Sequence, residues 1–165
     1  MKPGYRILLG LLFGLVAGSL HAQTLWPGTG AGMPLEEVRK LFPEAHDADP
    51  AAELPAGRGT ELLELDQVVI AGHRFTVKFF FKHEQLVAVA LTETGEILMK
   101  DFEMFRDLLR RKYGLEYSTT SSESIELTWK AVQTVILLKW KPLRPGNATI
   151  SITYEAPIPK ETDRL

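Results

Sequence analysis

The chain contains no cysteine. That excludes disulfide staples, a thiolate nucleophile and thiolate metal ligation together, so stability has to come from packing. Histidine is scarce, with four residues, and only His46, His73 and His83 lie beyond the N-terminal region. His73 and His83 flank one strand candidate, and at about 3.3 Å per residue they stand roughly 30 Å apart, too far to share a metal. His46-Asp47-x-Asp49 is the one dense ligand cluster, and it lacks the glycine and the spacing of a calcium loop. No G-x-S-x-G is present, so the elbow that exposes a hydrolase serine is missing. Gly28-x-Gly30-x-Gly32 precedes a helix but follows no strand, which removes the context of a phosphate cradle. Ser118–Ser122 is rich in hydroxyls with no histidine placed near it, and Glu64 with Asp66 reads as the solvent face of a strand. No basic stripe interleaved with aromatics occurs, which excludes a nucleic-acid groove. The sequence thus predicts no catalytic constellation, no metal, no cofactor and no enzyme.

What the chain does have begins at its N-terminus. Lys2 and Arg6 precede an almost wholly apolar run, Ile7–Leu20, and His21-Ala22 then leads into Gln23. A basic start, an apolar core and a small residue at the end read as a secretory signal peptide over residues 1–22. The run is shorter than a spanning helix needs and carries Gly10, Gly14 and Gly18, which argues against the rival reading of a membrane anchor. Loss of Lys2 and Arg6 from the 19 basic residues leaves 17 against 21 acidic ones, a mildly acidic mature protein. The expected location is periplasmic or extracellular.

The remainder suits one domain over 23–160 with a real hydrophobic core, followed by a frayed tail over 161–165. It reads as one pattern written twice, in units of about 32–92 and 95–155. The first opens with Gly32-Met33-Pro34-Leu35-Glu36-Glu37-Val38 and closes its helix at Leu41-Phe42-Pro43. Pro34 suits the first helical position, and the two acids favour the positive end of the dipole. Leu35, Val38, Leu41 and Phe42 fall on one face. Residues 43–60 carry no periodicity and form a long loop, functional or mobile. Strands follow over 61–70, 74–82 and 86–92, with turns at Ala71-Gly72 and at His83-Glu84-Gln85. Phe75, Val77, Phe79 and Phe81 alternate with Arg74, Thr76, Lys78 and Lys82.

The second unit opens with a helix over about 96–113, carrying Leu98, Phe102, Phe105 and Leu109 on one face and stopping at Gly114. Phe102 and Phe105 are expected against Phe75, Val77 and Phe79. Arg110-Arg111-Lys112 offset the negative end of that helix; an anion or lipid headgroup is the other reading. Strands follow over 124–130, 132–141 and 148–155. Asn147-Ala148-Thr149 matches the glycosylation pattern. The expected fold is α+β and two-layered: two helix–strand–strand–strand units forming an antiparallel sheet of about six strands, with the helices on one face.

The motif Gly32-Met33-Pro34-x-x-Glu37-Val38 followed by Leu41-Phe42-Pro43 resembles the start of the small outer-membrane assembly lipoproteins of the SmpA/OmlA (BamE) type. The resemblance implies a glycine-started helix before a three-stranded antiparallel sheet. The doubled arrangement is similar to the tandem-repeat proteins of the β-lactamase-inhibitor-protein type, which implies two such units side by side and a grip on a protein through the sheet. The chain lacks the cysteine that bears the lipid in the first family, so the lipid anchor is not implied. No site residue carries over.

One surface is suggestive. Strands 86–92 and 132–141 are apolar on both sides, and Phe80 is out of phase with the inward phenylalanines. An antiparallel sheet with one wet face alternates more cleanly. Phe80, Val135 and Leu137, with Lys78 beside Phe80, are therefore the candidate binding residues on the helix-free face. Either a partner covers that face, or sheet curl or the 43–60 loop covers it from within. The expected function is an exported soluble binding or assembly-factor protein that uses an open sheet face for a protein partner. The alternative is a periplasmic carrier or sensor of a small apolar ligand held between sheet and helices.

Overall fold

A computed structural model of the chain describes residues 24–121 and 123–157. The expected leader over 1–22 and the tail over 161–165 lie outside them. The described elements run in the order β1 (Thr24–Trp26), β2 (Thr29–Gly30), α1 (Leu35–Leu41), β3 (His46–Asp47), β4 (Thr60–Ile70), β5 (His73–Lys82), β6 (Gln85–Gly95), α2 (Met99–Tyr113), β7 (Tyr117–Thr120), β8 (Ile125–Lys130), β9 (Val135–Arg144) and β10 (Asn147–Glu155). The protein is α+β. Strands β1 and β2 make a small ribbon, and the other eight make one sheet in the order β3-β4-β5-β6-β10-β9-β8-β7. Every neighbouring pair in that sheet is antiparallel. The count of about six strands is corrected to eight. The two additions are short edge strands in segments whose composition, acidic in one case and hydroxyl-rich in the other, hides them. Among the described residues no helix is long and apolar enough to cross a membrane.

Turn chemistry sets the hairpins. Ala71 and Gly72 both have positive φ, 51° and 86°, the signature of the two-residue turns whose twist matches paired strands. Pro145 followed by Gly146 at φ 79° closes β9 on β10 in the Pro-Gly pattern of a tight turn. His83 and Glu84 also turn the chain with positive φ, 50° and 62°, a conformation that side chains with a Cβ resist. The segment before α1 straps this turn down. Leu35 N donates to Glu84 O at 3.1 Å, Leu86 N to Met33 O at 2.9 Å, and Gly32 N to Leu86 O at 2.8 Å.

Both helices reach the sheet through alternate residues of β5. Phe42, at the end of α1, lies 5.2 Å from Phe79 between ring centroids, and Trp26 of β1 lies 5.5 Å from Phe42 and 6.2 Å from Phe79. Phe105 of α2 meets Phe75 edge-on at 5.5 Å. Phe79 therefore belongs under α1, not under α2 as the periodicity suggests. Val38 is the one buried residue of α1; Leu41 is exposed, because the helix stops before its turn completes a second contact with the sheet. α2 starts three residues later than its apolar pattern does. Leu98 N donates to Asp101 Oδ2 at 2.8 Å, a cap that leaves Leu98 exposed, while Phe102, Phe105 and Leu109 are buried. At the other end Trp129 Nε1 donates to Gly114 O at 2.9 Å. Val132 is 98% exposed in the turn before β9, which begins at Val135 instead.

Bulges decide which residues face away from the helices. The register of β4 against β5 shifts between Glu61 and Leu63 and again between Leu65 and Val68. That of β5 against β6 shifts between Phe80 and Phe81. An extra residue in one strand changes the face of everything beyond it. The extra residues at the first and last of these shifts are Leu62 in β4 and Val87 in β6; β5 itself alternates, so Phe79 and Phe81 join the main core while Phe80 lies in a second cluster with Ala88 and Ala90.

Candidate functional site

The register lays out, row by row, the sheet face opposite the one that carries Phe75 and Phe79. Phe80 pairs with Ala88, Ala88 with Glu155, and Glu155 with Val135; one row along, Lys78 pairs with Ala90, Ala90 with Thr153, and Thr153 with Leu137. Phe80 and Lys78 thus share a face with Val135 and Leu137, with β6 and β10 between them. Phe80 is only 5% exposed, because Leu54 and Val87 pack over it. The 48–59 loop that carries Leu54 is cinched to the sheet. Glu61 N donates to Ala52 O at 2.8 Å and Ala48 N to Leu62 O at 3.2 Å, while Leu54 N donates to Gly59 O at 2.8 Å within the loop. Arg58 of the loop pairs with Glu155. A Cβ on Gly59 would stand 2.7 Å from Val87 Cγ2, so the loop lies too close for any side chain at that position. At Phe80, cover comes from within the chain; Val135 and Leu137 are half-buried.

Lys78 is engaged as well. Its Nζ donates to Glu61 at 3.0 and 3.2 Å and to Glu64 at 2.7 Å. Glu61 is 0% exposed. Its Oε2 also accepts from Ala52 N at 3.3 Å, which ties the covering loop to the same network. Burial, and then the Glu64 carboxylate beside it, push the Glu61 carboxyl up to about 7, against the pull of Lys78. Glu64 moves below its ordinary range through its bond with Glu61 and then through Lys78.

The same network brings together three groups with metal-ligating atoms. His46, Glu64 and Asp66 place one such atom each within 4.8 Å of the others. His46 stands opposite Glu64 across β3 and β4, and its Nε2 lies 3.1 Å from Asp66 Oδ2. The Asp47 carbonyl and then Asp66 raise the imidazole above its ordinary value. His46 and then Thr76 lower Asp66. Lys78 already supplies the positive charge beside Glu64, so the group is neutralised internally. The run His46-Asp47-x-Asp49 does not assemble: Asp47 turns to Arg39.

The described residues enclose a different kind of space on the helix side of the sheet. A cavity of about 660 Å³ opens between α2, β1 and the strands. Leu25, Leu91, Phe105, Leu109 and Ile152 form much of its wall. Four polar side chains join them: Lys112 and Tyr113 from the last turn of α2, Thr134 before β9, and Tyr154 from β10. Burial, and then Tyr113 nearby, push the Tyr154 phenol up to about 12, so it is a neutral donor at any ordinary pH. This volume and this mixture, mostly apolar with a few polar groups, are those of a small-molecule site.

Sequence reasoning offered a ligand between sheet and helices as its alternative but named none of the lining, because the walls come from β1, β4, β6, α2, β10 and the turn before β9, far apart in the chain. One of them, β1, follows the apolar run of residues 7–20 and has no periodicity of its own. The available signal was in α2, where Leu108 and Tyr113 extend the apolar surface past the strip that the sheet covers. Gly28, within the glycine triplet, turns β1 into β2 with φ 84°, and Ser118–Thr120 lies in edge strand β7. Comparison with protein-family models, with curated proteins and with solved structures finds no match to this chain.

Proposed function

We propose that this is an exported binding protein that holds a small apolar ligand in the cavity between α2 and the sheet. The cavity carries the reading: about 660 Å³, lined mainly by Leu, Ile, Phe and Trp side chains. A binding rather than catalytic role is supported by Lys78, Glu61 and Glu64 of β4 and β5, which are spent on one another and on the loop. The succession of a helix and four strands, twice over, supports the reading as two tandem units. Export rests on the leader pattern of residues 1–22. The test is the emission of the neutral fluorophore N-phenyl-1-naphthylamine, which rises in a dry apolar site. Emission should rise with the native protein, and Leu108→Trp, at the rim of the cavity, should reduce it.

A second reading, a protein partner on the helix-free face, keeps one supporting observation. Leu137, Thr128 and Tyr117 are successive register partners across β9, β8 and β7, and Tyr117 is exposed. Any such contact is centred on that half of the face rather than on Phe80.

A further inference from the structure

The polar groups of the cavity are gathered, not scattered. Lys112 Nζ lies 5.0 Å from the centroid of the Tyr113 ring, and Tyr113 acts electrostatically on Tyr154. Of the cations in the last turn of α2, Arg110 is taken by Glu116 and Asp107. Lys112 has no carboxylate partner among the described residues, and the Tyr154 side chain makes no hydrogen bond among them. Lys112 is exposed at the mouth of the cavity, so its ammonium and the two phenols face a space lined, apart from Thr134, by apolar side chains.

We propose that the ligand is an anionic amphiphile, with an apolar chain lodged among Leu25, Phe105, Leu109 and Ile152 and a carboxylate head held by Lys112, Tyr113 and Tyr154. The inference rests on the cavity reading above and adds the chemistry of the ligand. A pure hydrocarbon would leave the Tyr154 hydroxyl desolvated and unpaired, which is unfavourable. A carboxylate has acceptor sites for all three donors, and bonds to an ionised group are the stronger ones. One ammonium balances one negative charge. No guanidinium is among the described lining residues, whereas planar, bidentate recognition of phosphate favours arginine. The negative end of α2 works against an anion here, and Arg110, Arg111 and Lys112 in its last turn offset that.

The test uses the full chain loaded with N-phenyl-1-naphthylamine and titrated with dodecanoate or with dodecanol, which share a chain and differ in the head. Dodecanoate should displace the probe. Lys112→Met keeps the stem and removes the charge; it should weaken dodecanoate about tenfold, as loss of a charge-assisted bond does, and leave dodecanol unchanged. Tyr154→Phe should weaken dodecanoate more than dodecanol. The carboxylate assignment is overturned if dodecanoate fails to displace bound probe, or if Lys112→Met changes both ligands equally or neither. A native protein that takes up no probe overturns the cavity reading itself, which is a separate result.

Discussion

Phe80 and Glu61 are neighbours across β4 and β5, and each departs from what its residue type suggests. Phe80 looks like an exposed aromatic on the wrong side of a strand. It is instead the floor of a small second core roofed by Leu54. Phe80→Asp should therefore destabilise the fold by at least about 3–5 kcal/mol, the range for truncating a buried Phe, with the buried charge adding to it. Urea denaturation checks this, and a loss below about 0.5 kcal/mol, the usual range for a surface site, would show that the loop does not cover the ring. Glu61 is a carboxylate in the interior, raised from an ordinary 4.5 to about 7. A raised carboxyl binds its proton more tightly when folded, so its stabilisation is complete below about 4.5 and is lost as the pH rises through about 7. Glu64 and Asp66 shift the other way, and their contributions fall away only at lower pH, as they protonate. Stability measured by urea at pH 5 and at pH 8 should fall across that window. Glu61→Gln should fall less; an unchanged slope would mean that Glu61 does not titrate there.

At the scale of elements, the His83-Glu84 turn stands out. It is a two-residue turn of the type that prefers Asn-Gly, built from residues with side chains, and it is held by Gly32, Met33 and Leu35. Glu84→Gly should stabilise the protein by about 0.5–1 kcal/mol, since a left-handed residue with a Cβ is itself unfavourable. A higher midpoint in thermal melts is the expected result, and a lower one would mean that the Glu84 side chain contributes contacts of its own. Elements of this kind were largely legible. The clean alternation of 74–82, the Ala71-Gly72 turn and the heptad-like spacing of Phe102, Phe105 and Leu109 each point to one local structure. The bulges were not legible. Glu61 and Glu64, three residues apart, face the same way only because an extra residue intervenes, and strict alternation would have sent them to opposite faces. The network of Lys78 with both carboxylates follows from that irregularity, as does the placing of His46 beside Asp66, which needs a β3 only two residues long.

For the molecule as a whole, legibility ended where distant segments meet. The sheet's order, with β6 against β10, follows from no local signal. Nor does the cavity, which needs β1, α2 and β10 to converge. The candidate patch was inferred from apolar excess on β6 and β9, and part of that excess is now explained: Val87, Ala88 and Ala90 lie under the 48–59 loop with Phe80. The rest of it, around Leu137 and Tyr117, has no such cover among the described residues.

The pairing of β6 with β10 places the last described strand in the centre of the sheet rather than at a border. A chain stopped before Asn147 would not lose a peripheral strip. It would lose the middle, and the halves on either side would part along two long, unpaired, largely apolar edges. Completion of this fold therefore waits on β10, which follows both of its neighbours in the chain, and a chain interrupted before it is a sticky one.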